Sequence, residues 1–122
     1  MATIISEKVL IVEGKSDKQK IQEMLEESVE IICTNGTISV SKLDEFVELY
    51  YDRDVYLLFD SDSSGEKLRK QFRLEFPQAD HLYVDKMYRE VATTPYSQLA
   101  QILLQANFEV KVKYLKKGTD VT

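Results

Sequence analysis

Tyr56–Gly65 reads YLLFDSDSSG, and this stretch decides the fold class. A short apolar run that ends at turn-forming residues is typical of a buried strand in a parallel sheet. The run ends in two carboxylates, Asp60 and Asp62, which the period of two along a strand places on one face. Two like charges held so close are unfavourable unless a cation or a proton neutralises them. The stretch therefore predicts a buried strand whose carboxyl end carries a charged site.

Four strand–helix units with short connections run along the chain, which predicts an α/β fold with a mainly parallel four-stranded sheet. The predicted strands are Glu7–Val12, Glu30–Cys33, Val55–Phe59 and His81–Val84. The second strand closes at Thr34–Gly36, a turn in which asparagine and glycine tolerate positive φ. Apolar and charged residues then alternate over residues 108–114, and this alternation predicts a half-exposed extra strand at a sheet edge.

Residues that cap helices mark the predicted helix starts. The candidates are Ser16 or Asp17 for the first helix, Ser39 or Ser41 for the second, Ser63 or Ser64 for the third, and Thr94 followed by Pro95 for the fourth. Each is followed by apolar residues at helical spacing, so we expect the helices to cover both faces of the sheet.

The length and composition predict a single domain over residues 1–122, with an ordered core at 7–115 and a tail at 116–122. The apolar runs are too short for a membrane span or a secretory segment, so we expect no membrane association and a cytoplasmic protein. The single cysteine, Cys33, can form neither an internal disulfide nor a zinc site. A net charge of −5 argues against a general phosphate-backbone binder, although bound metal can offset an acidic cluster.

A third carboxylate, Glu13, ends the first predicted strand. In open parallel sheets, ligands bind beyond the carboxyl ends of the strands. If the first and third strands are neighbours, as in the order 2-1-3-4, Glu13 converges with Asp60 and Asp62. Ligands that are oxygen only suit a hard cation such as Mg²⁺, with Mn²⁺ as a substitute. Such a site predicts phosphoryl transfer, with Glu13 as general acid or base or as a further ligand.

Other residues near these strand ends are candidates for phosphate contact or for extra negative charge. Gly14 and Gly65 would admit a phosphate close to a helix N-terminus. Lys15 would contact phosphate or pair with the acids. Asp17 and Glu90 are possible additional acids, although a helix cap for Asp17 and a surface charge for Glu90 are the simpler interpretations.

Four basic residues lie on the predicted third helix, just after the acidic stretch: Lys67, Arg69, Lys70 and Arg73. They could follow a nucleic-acid backbone beside the site, and Lys67 is the candidate nearest to Gly65. Glutamates flank the group, so an ordinary solvated face is the simpler interpretation.

Two motifs together resemble those of a known family. A strand ending Val12–Gly14 (VEG), followed later by Asp60–Gly65 (DSDSSG), resembles the Toprim domain. That domain is shared by topoisomerases, bacterial primases, OLD-family nucleases, recombination-mediator proteins and the ribonuclease that matures 5S ribosomal RNA. The resemblance covers nearly the whole chain, and the loop Arg89–Pro95 is most similar to that ribonuclease.

The resemblance implies a three-layer α/β/α, Rossmann-like Toprim domain. It implies that Glu13 is the general acid or base and that Asp60 and Asp62 bind Mg²⁺. The chain shows nothing similar to a topoisomerase's tyrosine-bearing domain, a primase's zinc ribbon or the extra C-terminal region of the maturation ribonuclease. Fold and metal site therefore transfer better than any particular substrate.

Three functional hypotheses follow from these observations. The first is a Mg²⁺-dependent nuclease, similar to a ribonuclease, that acts on RNA or DNA. The second is a metal-binding module that is not catalytic alone and works with a protein partner in nucleic-acid metabolism. The third is a receiver-like domain that accepts a phosphoryl group at Asp60, although Asp62 is foreign to that pattern. The sequence does not specify an oligomeric state.

Overall fold

A four-stranded sheet forms the centre of the computed structural model, which describes residues 7–115. Its strands are β1 (Lys8–Val12), β2 (Glu30–Cys33), β3 (Asp54–Phe59) and β4 (Asp80–Tyr83). All three strand pairs are parallel, and the order is β2-β1-β3-β4. This is the order for which the sequence predicts that the acidic residues meet. The predicted tail at 116–122 lies outside the described residues.

Helices cover both faces of this sheet, as predicted. They are α1 (Lys15–Met24), α2 (Val40–Tyr50), α3 (Ser63–Glu75) and α4 (Tyr96–Gln105). Alternate residues of β1 enter different clusters: Leu10 packs with side chains of α1 and α4, and Ile11 packs with those of α2 and α3. Both faces of β1 are therefore buried, and the architecture is the three-layer α/β/α sandwich. Among the described residues, no helix has the length and apolar character needed to cross a membrane.

The predicted extra strand at residues 108–114 is wrong. Val110 makes a single antiparallel bridge to Leu25, and Val112–Tyr114 forms a short 3₁₀ helix. The backbone N–H of Lys111 donates to the carbonyl of Met24, so the segment binds the end of α1 rather than a sheet edge. The alternation of buried and exposed residues has a different cause, since Phe108 and Val110 fill the core beside α1 and α4.

Two helix starts differ from the predicted caps. The cap of α3 is Asp62, whose Oδ1 accepts from the backbone N–H of Gly65 at 2.8 Å, rather than Ser63 or Ser64. A carboxylate is a stronger acceptor than a hydroxyl, and here it lies one position earlier. The cap of α4 is Pro95 rather than Thr94.

The first helix also starts earlier than predicted, and the second as predicted. Gly14 is the N-cap of α1, and Asp17 contributes from inside the first turn by accepting from the Gly14 N–H at 3.1 Å. Ser39 caps α2, and its hydroxyl accepts from the Lys42 N–H at 3.2 Å. The start of α1 therefore lies directly beside Glu13.

Gly65 allows α3 to approach the end of β3. A Cβ atom at position 65 would lie 1.9 Å from the carbonyl oxygen of Asp60 and 2.9 Å from its carbonyl carbon. Both obstacles are backbone atoms, which cannot rotate away as a side chain can. A glycine at this position therefore sets the distance between α3 and Asp60.

We expect Gly65→Ala to lower the free energy of unfolding by about 3 kcal/mol or more, because the backbone must shift to admit the methyl group. Gly14→Ala is the matched control: its nearest contact would be the Asp17 carboxylate at an ordinary 3.6 Å, and we expect a loss below about 1 kcal/mol. Urea denaturation measures both. Equal losses for the two variants would contradict the close-approach explanation.

Candidate metal centre

Three carboxylates from different segments meet at the carboxyl edge of the sheet. Glu13 follows β1, Asp60 follows β3, and Asp62 is the N-cap of α3. One oxygen of each lies within 4.8 Å of the others. Parallel pairing of β1 with β3 brings Glu13 and Asp60 together, although they are 47 residues apart in sequence.

A backbone N–H holds one oxygen of each carboxylate in place. Glu13 Oε1 accepts from Asp60 N at 2.7 Å, Asp60 Oδ1 accepts from Val91 N at 2.8 Å, and Asp62 Oδ1 accepts from Gly65 N at 2.8 Å. Within residues 7–115, the second oxygen of each carboxylate accepts no hydrogen bond. Within the described residues, each of the three carboxylates therefore has one oxygen held by a backbone N–H and one left without a hydrogen bond.

The local electrostatics oppose full ionisation of this cluster. Burial raises the pKa of Glu13, and the charges of Asp60, Asp62 and Asp17 raise it further, while the hydrogen bond from Asp60 lowers it. Burial likewise raises the pKa of Asp60; the Val91 hydrogen bond lowers it and nearby carboxylates raise it. A bound cation would remove this repulsion.

The donor set fits a divalent hard cation. It consists of carboxylate oxygens alone, with no histidine or thiolate among the clustered groups of the described chain. Mg²⁺ and Mn²⁺ prefer such ligands, and Mg²⁺ is usually held by one or two carboxylates together with waters and substrate phosphates. Asp60 and Asp62 would hold the ion, and Glu13 offers a third carboxylate beside it.

An open groove of about 540 Å³ lies against two of these carboxylates, Glu13 and Asp60. It is also lined by Gly14, Ser16, Asp17, Asn35, Gly36, Glu90 and Ala92. The start of α1 and the turn after β2 thus form its walls. The predicted turn is present, since Asn35 and Gly36 have φ of 58° and 98°.

The two further acids both line the groove but differ in setting. Asp17 is buried at 6% exposure, and burial raises its pKa, while its hydrogen bond to Gly14 lowers it. Glu90 is exposed, and its charge raises the pKa of Asp17 and Asp60. Neither belongs to the three-carboxylate cluster.

The two candidate lysines lie apart from the carboxylates. Lys15 is the exposed first residue of α1, and it is not among the residues that line the groove. Lys67 lines a separate groove, together with Thr37, Lys70, Gln71 and Leu74. The structure therefore does not bring Lys67 to the acidic cluster.

Lys20 supports the site, although its role is not visible in the sequence, because a lysine on an amphipathic helix resembles an ordinary solvent-exposed residue. Its Nζ donates to the carbonyls of Val91 at 3.2 Å, Ala92 at 3.0 Å and Thr94. Burial lowers the pKa of Lys20. These bonds hold the loop that donates the Val91 N–H to Asp60.

Arg69 corrects the prediction of a solvated basic face, because its side chain is fully buried. Its Nη2 donates to the carbonyls of Phe59 at 3.1 Å and Leu82 at 2.6 Å, which fixes the ends of β3 and β4. The spacing in the sequence is consistent with this burial, because position 69 lies three residues before Phe72, on the buried stripe of α3.

The comparisons with known proteins agree with this fold and edge geometry. The model of the Toprim domain matches residues 8–90, and the chain therefore belongs to the Toprim family. It is similar to an uncharacterized protein, YusF, of Bacillus subtilis, with 55% identity over 111 residues that cover 91% of this chain and 76% of that protein. A solved structure of a small TOPRIM domain protein from Bacillus stearothermophilus is 55% identical, has a TM-score of 0.90, and covers 93% of this chain and 96% of its own.

More distant relatives carry an enzyme name. Ribonuclease M5 1 of Ligilactobacillus salivarius is 37% identical over 79 residues, which are 64% of this chain and 42% of that protein. The chain thus spans about two fifths of this relative's length. Toprim domains bind divalent metals, and the acidic cluster of this chain offers a place for one.

The raised pKa of Glu13 predicts a pH-dependent stability difference in EDTA. A raised pKa means that folding favours the protonated carboxyl, so its contribution is fully present below the ordinary value of 4.5 and is lost as the pH rises through the folded pKa. We expect Glu13→Gln, whose amide oxygen can still accept from Asp60, to be more stable than the wild type at pH 7.

The difference in the free energy of unfolding between Glu13→Gln and the wild type should shrink towards zero as the pH falls to 4.5, the ordinary pKa of Glu13. Urea denaturation of both proteins in EDTA between pH 4.5 and 7.5 measures it, and the carboxylates that do not interact with Glu13 cancel because both proteins contain them. A difference independent of pH would contradict the repulsive environment of Glu13.

Proposed function

We propose that this chain is a Mg²⁺-dependent nuclease that cleaves phosphodiester bonds of RNA or DNA. The observation that carries the proposal is the convergence of Glu13, Asp60 and Asp62 at the end of the sheet, with one oxygen of each within 4.8 Å of the others. Membership of the Toprim family and similarity to proteins named ribonuclease M5 support the choice of a nucleic-acid substrate. Family membership also disfavours the receiver-like alternative.

In this proposal Asp60 and Asp62 are the metal ligands and Glu13 handles the proton. When bound, Mg²⁺ supplies charge neutralisation at the phosphate and stabilises the leaving oxygen. Glu13 Oε1 is held by the Asp60 N–H, so its other oxygen, Oε2, takes or gives the proton. A pKa raised by burial suits that role, because general acids and bases work best when their pKa lies near the working pH.

The proposed phosphate position is the groove beside Glu13. Gly14, Ser16 and Asp17 line it, so the N-terminus of α1 is next to the carboxylates, where its dipole favours an anion. Lys15, at the first position of α1, would contact a phosphate from the solvent side. The geometry supports a packing role for Gly65 rather than a contact with substrate.

A second candidate function is a metal-binding module that needs a protein partner. The chain spans 42% of the Ribonuclease M5 1 of Ligilactobacillus salivarius, and its net charge is −5. The net charge favours a substrate surface supplied by another protein. The metal centre would be the same in the two functions.

Metal binding is tested by thermal unfolding with and without Mg²⁺. At a Mg²⁺ concentration about ten times Kd, we expect the wild type to gain about 1.4 kcal/mol, which raises Tm by about 5 °C. The double variant Asp60→Asn/Asp62→Asn should gain nothing, because the amides keep the hydrogen bonds but remove the charge. Asp44→Asn, on the exposed side of α2, is the matched control and should respond like the wild type. No Mg²⁺ or Mn²⁺ response in the wild type would reject the metal centre.

Catalysis is tested with structured RNA, single-stranded DNA and duplex DNA in the presence of Mg²⁺ or Mn²⁺. We expect cleavage of at least one substrate, and Glu13→Gln should slow it about 100-fold or more, because a general acid or base contributes that much. Asp44→Asn is again the control. Cleavage that persists in Glu13→Gln would remove Glu13 from its role. Metal binding without cleavage of any substrate would favour the module.

A further inference from the structure

A second groove begins at Asp62 and extends away from Glu13. It encloses about 730 Å³ and is lined by Ser61, Asp62, Ser63, Glu66, Tyr83, Val84 and Lys86; we call it the Tyr83 groove. Asp62 thus belongs both to the acidic cluster and to this groove. Whatever binds in the Tyr83 groove lies next to the proposed metal centre.

Tyr83 is the last residue of β4, and the sheet places it close to the acidic cluster. In the parallel register, Tyr83 is paired with Phe59, the residue directly before Asp60. Neighbouring strands are about 4.8 Å apart, so the backbone of Tyr83 lies one strand spacing from the end of β3. Its side chain is 51% exposed, whereas Phe59 is fully buried. An aromatic ring at the end of a strand is therefore left open to solvent.

Two arginines of α3 fix the ring from the protein side. The Arg69 guanidinium carbon lies 4.0 Å from the ring centroid, and the Arg69 side chain is fully buried. Arg73 Nη2 donates to the Tyr83 hydroxyl at 3.2 Å. The ring thus rests on a buried cation, and Tyr83 contributes to the wall of the groove. A ring held in this way loses little rotamer freedom when a ligand covers it.

The charges around the ring suit an anionic ligand with a flat, uncharged part. Lys86 lines the groove, and Arg73 is exposed at the ring's hydroxyl end. Two acids line the groove: Asp62 belongs to the proposed metal centre, and Glu66 has its Oε2 3.7 Å from Arg69 Nε. A single-stranded nucleic acid has both features, since its bases stack on aromatic rings and its phosphates attract lysine and arginine.

We propose that Tyr83 is a stacking platform for an unpaired nucleobase, next to the phosphate that the Glu13–Asp60–Asp62 centre acts on. This inference rests on the proposed function and specifies its substrate class: a single-stranded segment of RNA or DNA at the cleavage position. A base inside a duplex is already stacked on its neighbours and cannot lie on the ring. The platform therefore selects single strands over duplexes.

The test is the affinity of short fluorescent oligonucleotides, measured by anisotropy with Mg²⁺ present. The Glu13→Gln background prevents turnover during the measurement. Removal of a stacking ring weakens binding of a single strand by about 5- to 150-fold, and we expect this loss for Tyr83→Ala. Tyr83→Phe keeps the ring and should bind nearly as the parent does. Tyr51→Ala removes a tyrosine that is 66% exposed just after α2, and it is the matched control.

A second arm begins with a comparison in the parent protein, where Tyr83 still covers the buried Arg69. In the parent protein, an oligonucleotide with one abasic position at the cleavage site should bind more weakly than the intact one, and Tyr83→Ala should remove this preference. RNA and DNA of the same sequence are compared throughout. If Tyr83→Ala loses the same affinity for both, the whole effect comes from stacking of the base. A larger loss of affinity for RNA indicates an additional contact to the 2′-hydroxyl.

Two results would overturn the stacking platform. One is equal affinity of Tyr83→Ala and the parent for single strands, and the other is an equal loss for single strands and duplexes. If Glu13-dependent cleavage persists in either case, the proposed function stands without the platform. If no substrate is cleaved but binding depends on Tyr83, the platform stands and the nuclease proposal fails.

Discussion

The hydrogen bond from the Asp60 backbone N–H to Glu13 Oε1, 2.7 Å long, connects the ends of the two central strands. It orients Glu13 towards the end of β3, and it places a half-buried carboxylate beside a second one. Burial raises the pKa of both groups and the charges of neighbouring carboxylates raise it further, although this bond itself lowers the pKa of Glu13. The sheet thus holds two like charges together, and a cation is the natural partner for such an arrangement.

Several buried or half-buried side chains around this bond donate hydrogen bonds to backbone carbonyls. Arg69 binds the carbonyls at the ends of β3 and β4, and Lys20 binds three carbonyls of the loop after β4. Ser61 holds the same loop from the other side, because its N–H donates to Arg89 O at 2.6 Å and its hydroxyl to Val84 O at 2.8 Å. The loop is therefore fixed by Lys20 of α1 and by Ser61, which lies between β3 and α3, although it has no regular structure of its own.

The parts of this architecture that the sequence predicts are those that depend on nearby residues. The apolar run before Asp60, the Asn35–Gly36 turn and the Ser39 cap are local patterns, and all are present. The parts that it does not predict depend on distant partners. In the sequence, Lys20 resembles a solvent-facing residue, but in the structure it contacts a loop 71 residues further along the chain. The alternation at 108–114 correctly predicts that Phe108, Val110 and Tyr114 are buried, but Val112 is 64% exposed and the partners of the segment are helices.

The residues of the candidate site also fall into those that the sequence predicts and those that it does not. Its three carboxylates follow from strand ends that are visible in the sequence, whereas Arg69 is visible only as a position on a helical stripe. Lys67 looked close to the site because it is close in sequence, but one turn of α3 carries it to another groove. Proximity along a helix is a poor guide to proximity in space, since direction changes by about 100° per residue.

The central position of β1 has a consequence for how the protein is made. Strand β1 is synthesised first, but its partner β3 begins at Asp54, and the Glu13–Asp60 bond joins residues 47 positions apart. On the ribosome, the nascent chain can therefore pair β1 only with β2 until β3 has left the exit tunnel. Closure of so long a loop is slow compared with helix formation. The acidic cluster does not exist in the growing chain, and it assembles only when the middle of the sheet is complete.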